Sequence, residues 1–182
     1  MVFLHVCLAL LSVASAALYD ISKSSIFLLN SSNFERQVTK NRDRFVSIVH
    51  FFRQYDGKSK KVAEEFVKLS EEWQGVYVVA AVDCDIYEGL CEKEDVRETP
   101  KIKLYPPFPA PITTYEGEIT AKDISAFASR YINGNVVELG NDNYKAWLDD
   151  KPSVPKVVLF TEKKGIPTIF KALSVSFQVR FM

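Results

Sequence analysis

Histidine and cysteine are scarce in this chain: two and three residues among 182, with His5 and Cys7 confined to its opening stretch. Beyond residue 16 only His50, Cys84 and Cys91 remain, too few for the Cys/His ligand sets of a zinc site. No metal or other cofactor is implied. Net charge is also absent, because 23 Lys and Arg balance 23 Asp and Glu. The basic residues are dispersed and leave no electrostatic footprint for a nucleic acid. After the first segment the longest apolar run, Val76 to Val82, suits a strand and is far too short to cross a bilayer. Apolar residues at 47% exclude disorder as the main state. The length accommodates one full domain and part of another.

Met1 to Ala16 holds no charged residue, is apolar from Val2 to Val13, and closes on Ala14-Ser15-Ala16, a small-x-small pattern. It reads as a secretory signal cut after Ala16, although it lacks the usual basic start; a buried N-terminal strand or helix is the alternative. No membrane span is expected after its removal. An oxidising compartment follows, and the cysteines agree with it. Cys84 and Cys91 have six residues between them. A bridge would close a loop of about eight residues and stabilise by ~2.5 kcal/mol on loop-entropy grounds. Two free thiols are the other reading.

Strands and helices alternate along the chain. Ile26 to Leu29 is a short apolar strand, and Ser32-x-x-Glu35 is a capping-box signature for a helix reaching Lys40. Phe45 to Phe52 and Val76 to Val82 are apolar enough for buried strands. Between them Val62, Phe66, Leu69 and Trp73 fall at helical spacing over Lys58 to Trp73. A short helix is expected over Tyr87 to Lys93, strands over Ile102 to Tyr105 and Ile112 to Tyr115, and a helix from the cap Thr120 to Tyr131. Asn133-Gly134-Asn135 then breaks the chain. This order calls for an α/β sandwich, a mixed sheet with helices on both faces.

The run Phe51-Phe52-Arg53-Gln54-Tyr55-Asp56-Gly57-Lys58-Ser59-Lys60-Lys61, leading into an apolar-faced helix, resembles the active-site segment of the protein disulfide isomerase family. There an aromatic strand end passes through Trp-Cys-Gly-His-Cys-Lys. Val82-Asp83-Cys84-Asp85, Cys91 and Val96-Arg97-Glu98-Thr99-Pro100 resemble the family's later segment. That resemblance, which covers Leu18 to Tyr131, implies a thioredoxin-like three-layer sandwich over residues 17–134. It also implies a structural disulfide between Cys84 and Cys91 and a cis-proline at Pro100.

Asp56 and Ser59 stand where the resemblance puts the attacking and resolving cysteines. Disulfide exchange requires a thiolate, normally activated by a helix N-terminus. A carboxylate and a neutral hydroxyl cannot replace it, so no catalytic residue is expected at this degenerate motif. Asp56 instead suits a helix cap; the alternative is that it binds a partner's polar group together with Arg53 or Lys58. His50, close to where the family places a buried acid, is expected to be a hydrogen-bonded core residue. Recognition can outlive the chemistry: Thr99, beside Pro100, could pair with an extended client while Tyr55 contacts its side chains. Asn30-Ser31-Ser32 is a glycosylation acceptor at a strand-to-helix turn. The stretch Pro106 to Pro111 reads as a stiff connector.

Residues 135–182 resemble the start of a second thioredoxin-like unit: Val136 to Leu139, a helix from Asn143 to Leu148, a strand from Val157 to Phe160, and Pro167 to Phe177. So short a unit either docks on the first domain or belongs to an incomplete gene product, the explanation preferred at this level. The expected protein is a redox-inactive relative of disulfide isomerases in the endoplasmic reticulum lumen, or secreted, binding unfolded or partly folded clients or a partner in folding. The alternative is a thiol-disulfide oxidoreductase acting through Cys84 and Cys91.

Overall fold

A computed structural model describes residues 18–20, 22, 24–162 and 164–178. The expected signal segment, Met1 to Ala16, lies outside them. The elements are β1 (Phe27–Leu29), a π-helical turn (Glu35–Thr39) continued by a 3-10 turn (Lys40–Asp43), β2 (Val46–Phe52), α1 (Gly57–Glu72), β3 (Tyr77–Asp83) and α2 (Glu88–Lys93). β4 (Lys101–Tyr105), β5 (Thr113–Thr114), α3 (Ala121–Ala128), α4 (Tyr144–Asp149) and α5 (Thr168–Gln178) follow.

The sheet runs in the order β1-β3-β2-β4-β5. β1 and β2 are parallel to β3, whereas β4 is antiparallel to β2 and β5 to β4. All seven residues of β2 are buried, as a central strand covered on both faces requires. Successive side chains point to opposite faces, so Val46, Ile48 and Phe52 pack with Val62, Phe66 and Leu69 of α1 and Ile124 and Ala128 of α3. Val49 and Phe51 pack on the other face with Phe34, Val38, Leu90 and Cys91. The result is a three-layer α/β sandwich. Complete burial of Phe66 and Leu69 contributes about 1.5–3 kcal/mol each.

α3 is capped as its sequence indicates, with Thr120 Oγ1 accepting from Asp123 N at 3.1 Å. The first helical turn is not capped by Ser32. Asn30 Oδ1 accepts from Ser32 N and Asn33 N at 2.9 and 3.1 Å, and Asn33 Oδ1 accepts from Asn30 N at 2.8 Å. Asn30 and Asn33 close a reciprocal box over the turn before the helix, and the regular helix begins at Glu35, later than a Ser32 cap would start it.

The expected strand Val157 to Phe160 is irregular, as is Val136 to Leu139; among the described residues of this part only α4 and α5 are regular. A strand needs a paired backbone, and no described strand pairs with either segment, leaving Val157 73% and Phe160 91% exposed. α5 docks on the first domain. Ala172 and Val175 line a small niche with Val46, Val76 and Ile132, and Asn135 N donates to Ser174 Oγ at 2.9 Å.

Candidate functional site

The topology gathers one set of loops at one end of the sheet. β1, β2 and β3 finish there, and the register Phe51↔Lys101 brings the start of β4, just after Pro100, beside the end of β2. The Thr99-Pro100 peptide is cis. The segment that resembles an active site and the expected cis-proline therefore share this end.

Asp56 is the N-cap of α1. Its carboxylate accepts from Lys58 N at 3.0 Å, Ser59 N at 3.1 Å and the Ser59 hydroxyl at 2.8 Å. These satisfy donors that a helix start leaves unpaired. The Ser59 hydroxyl and the Lys58 N–H hold the Asp56 carboxyl below the usual carboxylate range. An ionised carboxylate is an acceptor with no bond to offer a sulfur. Ser59 is buried, its proton committed to Asp56.

Arg53, which with Asp56 is one candidate to bind a partner's polar group, is paired within the chain. Asp85 Oδ1 accepts from Arg53 Nη1 at 2.8 Å and Asp85 Oδ2 from Gln54 N at 2.9 Å. Cys84 N also donates to the Phe52 carbonyl at 2.8 Å. The loops after β2 and β3 are thus laced together, and they present Tyr55 and Ile86, 87% and 68% exposed. The role of Asp85 is not legible in the sequence, because its partners Arg53 and Gln54 lie 32 and 31 positions away.

His50 is fully buried. Its Nδ1 shares a 2.5 Å hydrogen bond with the Tyr19 hydroxyl, and the rings of Phe52 and Phe66 lie 5.6 and 5.2 Å from it. Among the described residues Nε2 has no hydrogen-bond partner. Burial pushes the imidazole pKa down to about 3 against a smaller opposing pull from Asp56. His50 is therefore a neutral core residue at physiological pH, and Tyr19 is the partner that sequence did not reveal.

Cys84 and Cys91 form a disulfide with S–S 2.04 Å and Cα–Cα 5.9 Å. The two residues are 3% and 2% exposed and pack among Leu29, Val82 and Leu90 on the face away from α1. Asn30, the glycan acceptor candidate, is partly buried, with Oδ1 accepting from the Ser32 hydroxyl at 2.6 Å. Among the described residues no group of three or more His, Cys, Asp and Glu could hold a metal ion. No helix among them is long and apolar enough to cross a membrane.

The thioredoxin family profile matches residues 25–130. Protein disulfide-isomerase 2-3 of Arabidopsis thaliana is 34% identical over 120 residues, 66% of this chain and 26% of that protein. Protein disulfide isomerase-like 2-3 of Oryza sativa subsp. japonica is 35% identical over 112 residues, 59% of this chain and 24% of that protein. A mitochondrial thioredoxin domain-containing protein of Schizosaccharomyces pombe is 29% identical over 161 residues, 85% and 44% of the two chains. The chain thus spans less than half the length of each of these relatives. Among solved structures, ERdj5 form II superposes with a TM-score of 0.63 at 22% identity over 70% of this chain and 17% of its own. Chloroplastic thioredoxin z gives 0.53 at 23% identity over 58% and 93%. Both likenesses concern the fold. The matched family, the mixed sheet and its two helical layers agree, and the chain belongs to the thioredoxin family as a protein disulfide isomerase-like member.

Proposed function

We propose that this chain is a redox-inactive, protein disulfide isomerase-like protein of the secretory pathway that binds unfolded or partly folded polypeptides, or a partner in protein folding. The observation that carries the reading is the occupant of the α1 start. Asp56 is held there by Ser59 and two backbone N–H groups, in the place where disulfide exchange needs a thiolate. Among the described residues the two cysteine sulfurs, those of Cys84 and Cys91, are bonded to each other and buried. Exposed Tyr55 and Ile86 supply apolar contact, and the backbone of Thr99, next to Pro100, supplies strand-like hydrogen bonds for an extended client.

In this reading residues 1–16 are a cleaved signal, 17–134 the binding domain, and 135–182 the start of a second thioredoxin-like unit whose α5 rests on the first domain. The destination is the endoplasmic reticulum lumen or the exterior, and Asn30 carries a glycan. Translation with microsomes tests this part: cleavage after Ala16 and an endoglycosidase-sensitive mass shift at Asn30 are expected, and a full-length, unshifted product overturns it.

Insulin reduction by the full chain, run beside a Cys84→Ser, Cys91→Ser variant, tests the rest. No turnover is expected from either, together with saturable binding of a fluorescent unfolded peptide that Tyr55→Ala weakens. Turnover that disappears in the double variant would instead establish an oxidoreductase acting through Cys84 and Cys91.

A further inference from the structure

The face of the sheet opposite α1 contains a cavity of about 350 Å³ between the helical turns after β1, α2 and β4. Its size falls in the range of small-ligand sites. Phe34, Leu90 and Tyr105, all buried, form apolar walls, and Ile112, 43% exposed, stands at the mouth. Four charged side chains line it, the cations Arg42 and Lys93 and the acids Glu35 and Glu94. Arg42, 8% exposed, reaches it with Nε donating to the Pro106 carbonyl at 2.8 Å, Nη2 donating to the Ala110 carbonyl at 2.6 Å, and Phe108 stacked 4.2 Å from its guanidinium carbon. Exposed Lys93 adds a second cation at the rim.

Both acids of the lining already have partners. Glu35 pairs with Lys40 at 3.5 Å, and Glu94 Oε2 accepts from the Tyr105 hydroxyl at 2.7 Å. Among the described residues neither Arg42 nor Lys93 forms an ion pair. A guanidinium withdrawn from water with only carbonyl dipoles and a ring for company gains from an anion. The walls favour an apolar body behind that anion.

We propose that this cavity binds a small amphipathic carboxylate, with its acid group between Arg42 and Lys93 and its hydrocarbon against Phe34, Leu90 and Ile112. The lining includes none of Tyr55, Thr99 and Pro100, and the proposal does not depend on client binding.

Octanoate and 1-octanol, which share a chain and differ in charge, are the probes, each titrated into the isotope-labelled full chain and followed by amide chemical shifts. Saturable shifts at Phe34, Leu90, Lys93 and Tyr105 are expected with octanoate, with octanol at least about tenfold weaker, equivalent to ~1.4 kcal/mol. Lys93→Gln should weaken octanoate several-fold, and Ile112→Trp should block it by filling the mouth; the dispersion of the same spectra shows that both variants are folded. Shifts that do not saturate, that map elsewhere, that are equal for the two probes, or that persist unchanged in both variants overturn the proposal.

Discussion

The Tyr19 hydroxyl and His50 Nδ1 meet at 2.5 Å inside a sealed core. The imidazole is neutral in the fold down to about pH 3, whereas in an unfolded chain it takes up a proton below about 6.5. Between those limits the unfolded state binds more protons, so stability falls as pH drops from about 6.5 towards 3. From pH 7 to pH 5 His50 should cost about 2 kcal/mol, measurable as a lower urea midpoint. His50→Leu should flatten that slope; a wild-type midpoint equal at both pH values would contradict it.

Restoring sulfur to the α1 start tests whether the scaffold still supports exchange. Asp56→Cys with Ser59→Cys places two thiols at a helix N-terminus, where the dipole lowers a thiol pKa. The double variant should reduce insulin measurably while the parent does not. Asp56→Ala alone removes the cap and should lower the midpoint without creating activity. An inert double variant that retains the native fold would mean that this end of the sheet lacks the geometry for exchange.

The Cys84–Cys91 bridge anchors the loop that supplies Asp85. Cys84→Ser, Cys91→Ser should destabilise the chain by ~2.5 kcal/mol on loop-entropy grounds. Amide exchange should rise most from Asp85 to Val96, with α1 unaffected. Uniform protection across both would show that packing alone holds this loop.

Arg42 is tied to the proline-rich connector from both ends, donating to Pro106 and Ala110 while its own carbonyl accepts from Phe108 N at 3.0 Å. Arg42→Lys keeps the charge but cannot reproduce the planar fork. A loss of about 2 kcal/mol is expected, since hydrogen bonds to charged groups contribute ~1.5–3 kcal/mol each. Faster exchange at the Phe108 amide checks the mechanism, and an unchanged rate would rule the clamp out.

Much of the sandwich is legible in the sequence because its cues are local. Val62, Phe66 and Leu69 recur at helical spacing and are the buried face of α1, and the β-branched run of β2 is buried throughout. Asp56 could be read as a cap from its type and place. Choosing between Asn30 and Ser32 as a cap depended on Asn33 folding back, which residue type does not decide. Val157 to Phe160 has the composition of a strand, yet its regular structure requires a partner that no local signal can supply. Tyr19, Arg42 and Asp85 stayed hidden for a related reason. Their contacts reach His50, the proline-rich connector and Arg53 across 31 to 68 positions of chain, and spacing carries no information at that range.

A disulfide whose residues are 3% and 2% exposed also makes the chain its own stopwatch. In a mixture of reductant and alkylating reagent, mass can be added at Cys84 and Cys91 only as often as the junction between β3 and α2 breathes. The labelling rate then reports the opening frequency of that one joint, with no probe attached.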